Sequence, residues 1–263
     1  MGSLTTALEW LEPIIPLVML ISLRVGVALS AMPAPFGDLA PTKVRAALAF
    51  MIGFALATPL IGTPAADIGE HPIVLLRAAG GEVLVGAVIG VTVRVILAAI
   101  SVAGTAVGFS SGLAFAQSLD PAFGESMTPV ARAMGTLGIA FFLAMHGHHI
   151  VLDALTATIH TAPPGHVFGA LELGGIVNIG GNVVAHGLRM SAPVVATMFI
   201  VQLGMALTSR AAPRVQIFQL TFAVAVSSGL LLLYMATPSL APAIAAEIRS
   251  LPSLLATVFR GAP

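Results

Sequence analysis

The sequence predicts an all-α, polytopic integral membrane protein of about six hydrophobic helices. Of its 263 residues 57% are hydrophobic and only 8% charged, and its mean hydropathy is +1.02. That leaves too little polar side chain to coat a water-soluble globule, whereas a bilayer supplies an apolar solvent. Apolar runs that meet or exceed the roughly 20 residues that a hydrocarbon core demands lie at 14–34, 44–62, 73–101, 130–159, 176–208 and 214–236. Proline and glycine punctuate the connectors between them.

Ahead of the first run, Met1 to Pro13 carries Glu9 and Glu12 and no Lys or Arg. This is the reverse of a signal-peptide n-region, so the first apolar stretch is expected to be retained. Run one holds Arg24 and ends at Pro33, Pro35, Gly37 and Pro41; run two follows Lys43 and Arg45 and ends at Gly62 and Pro64. Run three contains Glu82 and Arg94. On one straight helix these two are about 18 Å apart and cannot pair, so each needs a partner from another segment or subunit. Gly86 with Gly90, then Gly104, Gly108 and Gly112, recur four apart, a spacing that lets helix backbones approach closely in lipid.

After Ser101 the chain turns Gly- and Ser-rich and reaches Asp120-Pro121 with Gly124 close behind. This predicts a helix that loosens into a loop at membrane depth, which is tolerated only when buried in protein or lining a water-filled path. Phe109 and Phe115, with Leu113 and Leu119, could there form an apolar constriction that closes by dewetting; ordinary core packing is the alternative. Run four begins at Arg132 and includes His146-Gly147-His148-His149 and Asp153. On a helix His146, His149 and Asp153 share one face and could form a facial metal site, but a polar cluster ending a span is the favoured reading, with no metal and no cofactor. Run five carries Arg189, and Arg210 and Arg214 precede or open run six. The tail, approximately 239–263, alternates apolar residues with Glu247, Arg249 and Arg260 and predicts a short amphipathic interfacial helix. The whole chain, 1–263, reads as a single membrane-embedded unit.

Eleven basic and eleven acidic residues cancel, so nothing in the charge draws the chain to nucleic acid. The absence of Cys excludes disulfides and thiolate sites. The one lysine, Lys43, follows no Gly-rich turn, and neither GxSxG nor HExxH occurs, so no enzyme is predicted. Lys43, Arg45, Arg132, Arg210 and Arg214 lie in odd-numbered connectors against Arg77, Arg249 and Arg260 elsewhere, which places odd connectors in the cytoplasm. Arg24, Arg45, Glu82, Arg94, Arg132, Arg189 and Arg210 are the candidates for assembly or intramembrane ion pairs, a proton relay being the alternative.

An ordered set of short motifs carries a resemblance. GLAFAQSLDP spans Gly112 to Pro121, PVAR spans Pro129 to Arg132 and HGHHIVL spans His146 to Leu152. With them go Arg24 followed by Pro35-Phe36-Gly37, Pro41 and Val44-Arg45; EVLVG from Glu82; APV from Ala192; and Arg210 through Ala212-Pro213 to Ile217-Phe218. Together these resemble the FliR family of type III secretion export-gate proteins, over about Leu20 to Leu233.

The resemblance implies a helical-hairpin, export-gate architecture and a non-enzymatic subunit in the bacterial inner membrane at the flagellar basal body. FliP-like and FliQ-like gate proteins are the implied partners, with FlhB-like and FlhA-like export proteins, membrane lipid and unfolded protein substrates. It also implies a plug-like loop, approximately 104–129, in which Phe109, Gly112, Leu113, Phe115, Asp120 and Pro121 help to hold the gate shut. Such a gate stands raised from the membrane plane, which argues against six simple rods. The chain departs from the family where Phe222 precedes Ala223-Val224-Ala225 and where Pro213-Arg214-Val215-Gln216 stands near the last turn. Competing readings are an injectisome gate subunit, a secondary transporter using Glu82 and Arg94, and a metal enzyme built on His146, His149 and Asp153.

Overall fold

The computed structural model describes residues 14–32, 40–63, 71–111, 128–165, 173–211 and 217–258. These are helical and contain no strand. In chain order the helices are α1 (Ile14–Ala31), α2 (Thr42–Ala57, extended by a 3-10 turn Thr58–Leu60), α3 (Pro72–Ser110), α4 (Pro129–Ala144), α5 (Gly147–Thr161), α6 (Leu173–Ala211), α7 (Ile217–Arg249) and α8 (Leu251–Val258). Among the described residues four stretches are long and apolar enough to cross a membrane: Ile14–Ala31, Thr42–Leu60, Pro72–Ser110 and Val184–Arg210. The count reaches six if α4 with α5, and Ala223–Ala236 with Pro238–Leu255, each make one bent span.

Local sequence sets the helix ends. Proline occupies the first position of α3 and α4, where its missing N–H costs nothing and its fixed φ suits the helix. Thr128 caps α4, its hydroxyl accepting a hydrogen bond from the Ala131 N–H at 3.1 Å. The bend of α7 falls at Pro238, which removes a helical hydrogen bond; α7 nevertheless continues to Arg249, and α8 follows it.

Two expectations change. The helix does not loosen after Ser101: α3 is continuous to Ser110, and the first part of the 104–129 segment is therefore helical. Each glycine costs a helix about 1 kcal/mol, but Gly104 and Gly108 use the missing side chain to touch another helix, and tertiary packing overrides propensity. Second, His146 is not on a helix face. It stands at the N-cap of α5 with φ of 56°, after α4 closes with the Met145 N–H donating to Phe141 O at 2.9 Å. His146, His149 and Asp153 thus do not share one continuous helix.

The chain divides into two compact units. The first contains α1, α2, α3 as far as Val95, α5, α6 as far as Gly180, and α8. Its buried core includes Leu17, Ile21, Val25, Val85, Ile89, Val93, Leu155 and Leu251. Helices α1 and α2 form an antiparallel pair in which Gly53 faces Ser22, and a Cβ on Gly26 would lie 3.5 Å from Ala49. Gly86 and Gly90 bring α3 against α1: a Cβ at Gly90 would lie 2.5 Å from Ala31 Cβ and 2.6 Å from the Ala28 carbonyl, and one at Gly86 would strike the Arg24 carbonyl.

The second unit holds α3 from Ile96, α4, α6 from Gly181, and α7. Ile100, Ala103, Val107, Val130, Met134, Phe142, Met198 and Ile244 are buried in it.

Candidate functional site

Within the first unit, the side chain of Arg24 ties three segments together. Its Nε donates to Glu82 Oε2 at 2.5 Å, its Nη1 to Thr158 Oγ1 at 3.1 Å and its Nη2 to the Ala162 carbonyl at 2.8 Å. Arg24 is 1% exposed and Glu82 0%. The Thr158 hydroxyl in turn donates a hydrogen bond to the Leu155 carbonyl at 2.7 Å, and the Ala162 N–H closes α5 on Thr158 O at 2.8 Å. A guanidinium near the carbonyl end of α5 also meets the negative pole of that helix. Glu82 Oε1 is buried without a hydrogen-bond partner. The planar fork of Arg suits this task, because one cation addresses three acceptors in fixed directions. Glu82, which the sequence leaves in need of a partner from another segment or subunit, finds it in Arg24, 58 positions away in the same chain.

The second unit surrounds the end of α3. A Cβ on Gly104 would lie 2.6 Å from Ala131 Cα, and one on Gly108 2.6 Å from Thr128 Oγ1, so the predicted small-residue spacing serves close packing against the start of α4. Gln202 Nε2 donates to the Ser110 carbonyl at 2.6 Å, satisfying an acceptor that the helix end leaves open. A side chain on Gly229 would strike Ser111. Phe109, one residue before that end, is 66% exposed. Gly112, Leu113, Phe115, Leu119, Asp120 and Pro121 lie outside the described residues, as do Arg214 and Arg260.

Of the other predicted charges, Arg45 is half-buried, and its Nε has no hydrogen-bond partner. Arg94, Arg132, Arg189 and Arg210 are exposed. The rings of His146, His148 and His149 gather with centroids 4.3 to 6.1 Å apart. Among the described residues no group of three or more His, Asp or Glu is placed to hold a metal ion.

Sequence reasoning missed four contributors: Thr158, the Ala162 carbonyl, Gln202, and the pair of His186 and Glu247, whose Nδ1 and carboxylate are 2.8 Å apart. His186, three residues before Arg189 in an apolar run, carried the one signal that could have flagged it, an ionisable group in a candidate span.

The model of the family described as bacterial export proteins, family 1, matches residues 15–251. The chain is similar to the flagellar biosynthetic protein FliR of Escherichia coli (strain K12), with 31% identity over 221 residues and 84% of each chain covered. It is similar also to the FliR proteins of Caulobacter vibrioides, with 28% identity over 84% of this chain and 88% of that one, and of Bacillus subtilis (strain 168), with 26% identity over 77% and 79%.

Proposed function

The chain belongs to the family of bacterial export proteins, family 1, and from that membership we propose that it is a non-enzymatic subunit of a flagellar type III protein export gate. In this reading it sits in the bacterial inner membrane, assembles with FliP-like and FliQ-like proteins, meets FlhB-like and FlhA-like export proteins, and helps to pass unfolded flagellar substrates. The observation that carries the reading is the continuous match over residues 15–251. Apolar faces such as Phe50, Met51 and Phe54 on α2, all more than half exposed, are compatible with it, since such faces require lipid or a partner protein.

Phe109 is the described residue proposed for the gate, together with Gly112, Leu113, Phe115, Asp120 and Pro121. Its exposure separates gating from folding: Phe109→Ala is expected to leave thermal stability unchanged and to raise ion leakage through the assembled complex. Unchanged leakage in a fully assembled complex removes Phe109 from the gate.

The overall reading is tested by an in-frame deletion in the native host. Swimming motility and the release of flagellar export substrates into the medium should both be lost, and the full chain supplied in trans should restore them. Intact motility with loss of another type III substrate would transfer the chain to an injectisome.

A further inference from the structure

Helices α1 and α2 leave between them a groove of about 700 Å³. The pairing of Gly53 with Ser22 and of Gly26 with Ala49 fixes a register that puts Arg45 level with Ser30. The groove therefore has two unlike ends. Leu23, Val27 and Phe50 give it apolar walls, whereas Ser30, Thr42 and Arg45 gather where α2 begins. From Met19 to Ala31 it follows α1 for about 18 Å at 1.5 Å per residue.

The polar end is electrically incomplete. Arg45 Nε is buried and makes no hydrogen bond, a costly state for a cation in a candidate span. Among the described residues no side chain caps α2, so its first N–H groups add positive potential at the same end. Lys43 is exposed beside it. An occupant that completes this site has an anionic, multiply accepting head and a long apolar tail.

We propose that the groove binds an anionic phospholipid, with an acyl chain along Leu23, Val27 and Phe50 and the phosphate accepting hydrogen bonds from Arg45. Guanidinium and phosphate match in charge and in planar fork geometry. The start of a spanning helix is also the level at which lipid phosphates lie, and a side chain one turn inside it reaches them by extending toward the interface. A zwitterionic lipid brings the same phosphate but adds an ammonium group, which Arg45 and the positive pole of α2 repel. A partner helix in the groove would instead have to deliver a carboxylate to the level of Arg45. The inference needs only a membrane-embedded hairpin and is independent of the export reading, so none of its readouts involves motility.

The test uses the full chain, delipidated in mild detergent and titrated with phosphatidylglycerol or phosphatidylethanolamine under native mass spectrometry, with circular dichroism to confirm helical fold. Wild type should retain one phosphatidylglycerol in preference to phosphatidylethanolamine. Arg45→Ala should weaken that binding about tenfold, the scale of one lost charge-assisted contact. Ala46→Phe, which fills the groove and keeps the cation, should weaken it as well, whereas Lys43→Ala, outside the groove, should retain the adduct. Equal retention of the two lipids, unchanged binding by Arg45→Ala, or equal losses in Lys43→Ala and Arg45→Ala would each overturn the proposal. So would a photo-crosslinker at position 46 that captures a protein chain rather than lipid in native membranes.

Discussion

The two halves of α3 solve the same packing problem by different means. Up to Val95 the helix meets α1 through Gly86 and Gly90, and beside that contact the crossing is pinned by the buried pair of Glu82 and Arg24. Beyond Ile96 it meets α4 through Gly104 and Gly108, and there the polar element is the neutral hydroxyl of Thr128. Small residues alone suffice for close approach, as the second half demonstrates. The charge pair adds direction: Arg24 must find Glu82, Thr158 and Ala162 together, so sliding or rotating α1 against α3 breaks several contacts at once. The cost is vulnerability, because either charge left alone has nowhere to go.

Removing Glu82 should therefore do the most damage. Glu82→Ala strands Arg24 in an apolar core and is expected to cost about 3–5 kcal/mol, read as a fall in the thermal midpoint and in the monodisperse yield in detergent. The double change Arg24→Met with Glu82→Leu should recover much of that loss; if it recovers none, the two residues are not energetically a pair. Gly104→Val should cost less, about 1–3 kcal/mol, since the added side chain forces α4 outward from the Ala131 contact. A loss equal to that of Glu82→Ala would erase the distinction between the two halves. Thr128→Ala, which removes the cap of α4, should cost about 1 kcal/mol, visible as earlier exchange of the first amides of that helix. At the bottom of the scale, Arg94→Gln on the exposed side of the charge-pinned half should change stability by less than about 0.5 kcal/mol. A larger change would mean that Arg94 has a partner outside this chain.

These contrasts also explain what could be read from the sequence. Six apolar runs were legible because spanning length is a local property, written in consecutive residues. Arg24 and Glu82 stood out for the same reason, as charges inside apolar runs. Their pairing was not legible, because the two meet only after separate segments pack, and Thr158 is unremarkable in its own neighbourhood. The end of α3 misled in the opposite direction: Gly104 and Gly108 have loop-like composition, but the surface against which they pack as helix belongs to Thr128, Val130 and Ala131, some 20 to 30 positions later. His146 shows the limit of periodicity, since one residue at a φ of 56° turns a predicted shared face into two separate elements.

The length of α3 has a further implication for how the chain is made. Its 39 residues extend about 58 Å, against a hydrocarbon core of about 30 Å, and even at a tilt of about 40° the helix still spans about 45 Å. Tilting cannot absorb the excess, so a freshly inserted copy surrounded only by lipid is under hydrophobic mismatch that distorts the bilayer around it. Protein neighbours that cover the surplus turns relieve that distortion. The timing of synthesis relative to those neighbours then becomes a determinant of yield, and an orphaned copy carries, in its excess length, a feature by which membrane quality control can distinguish it from an assembled one.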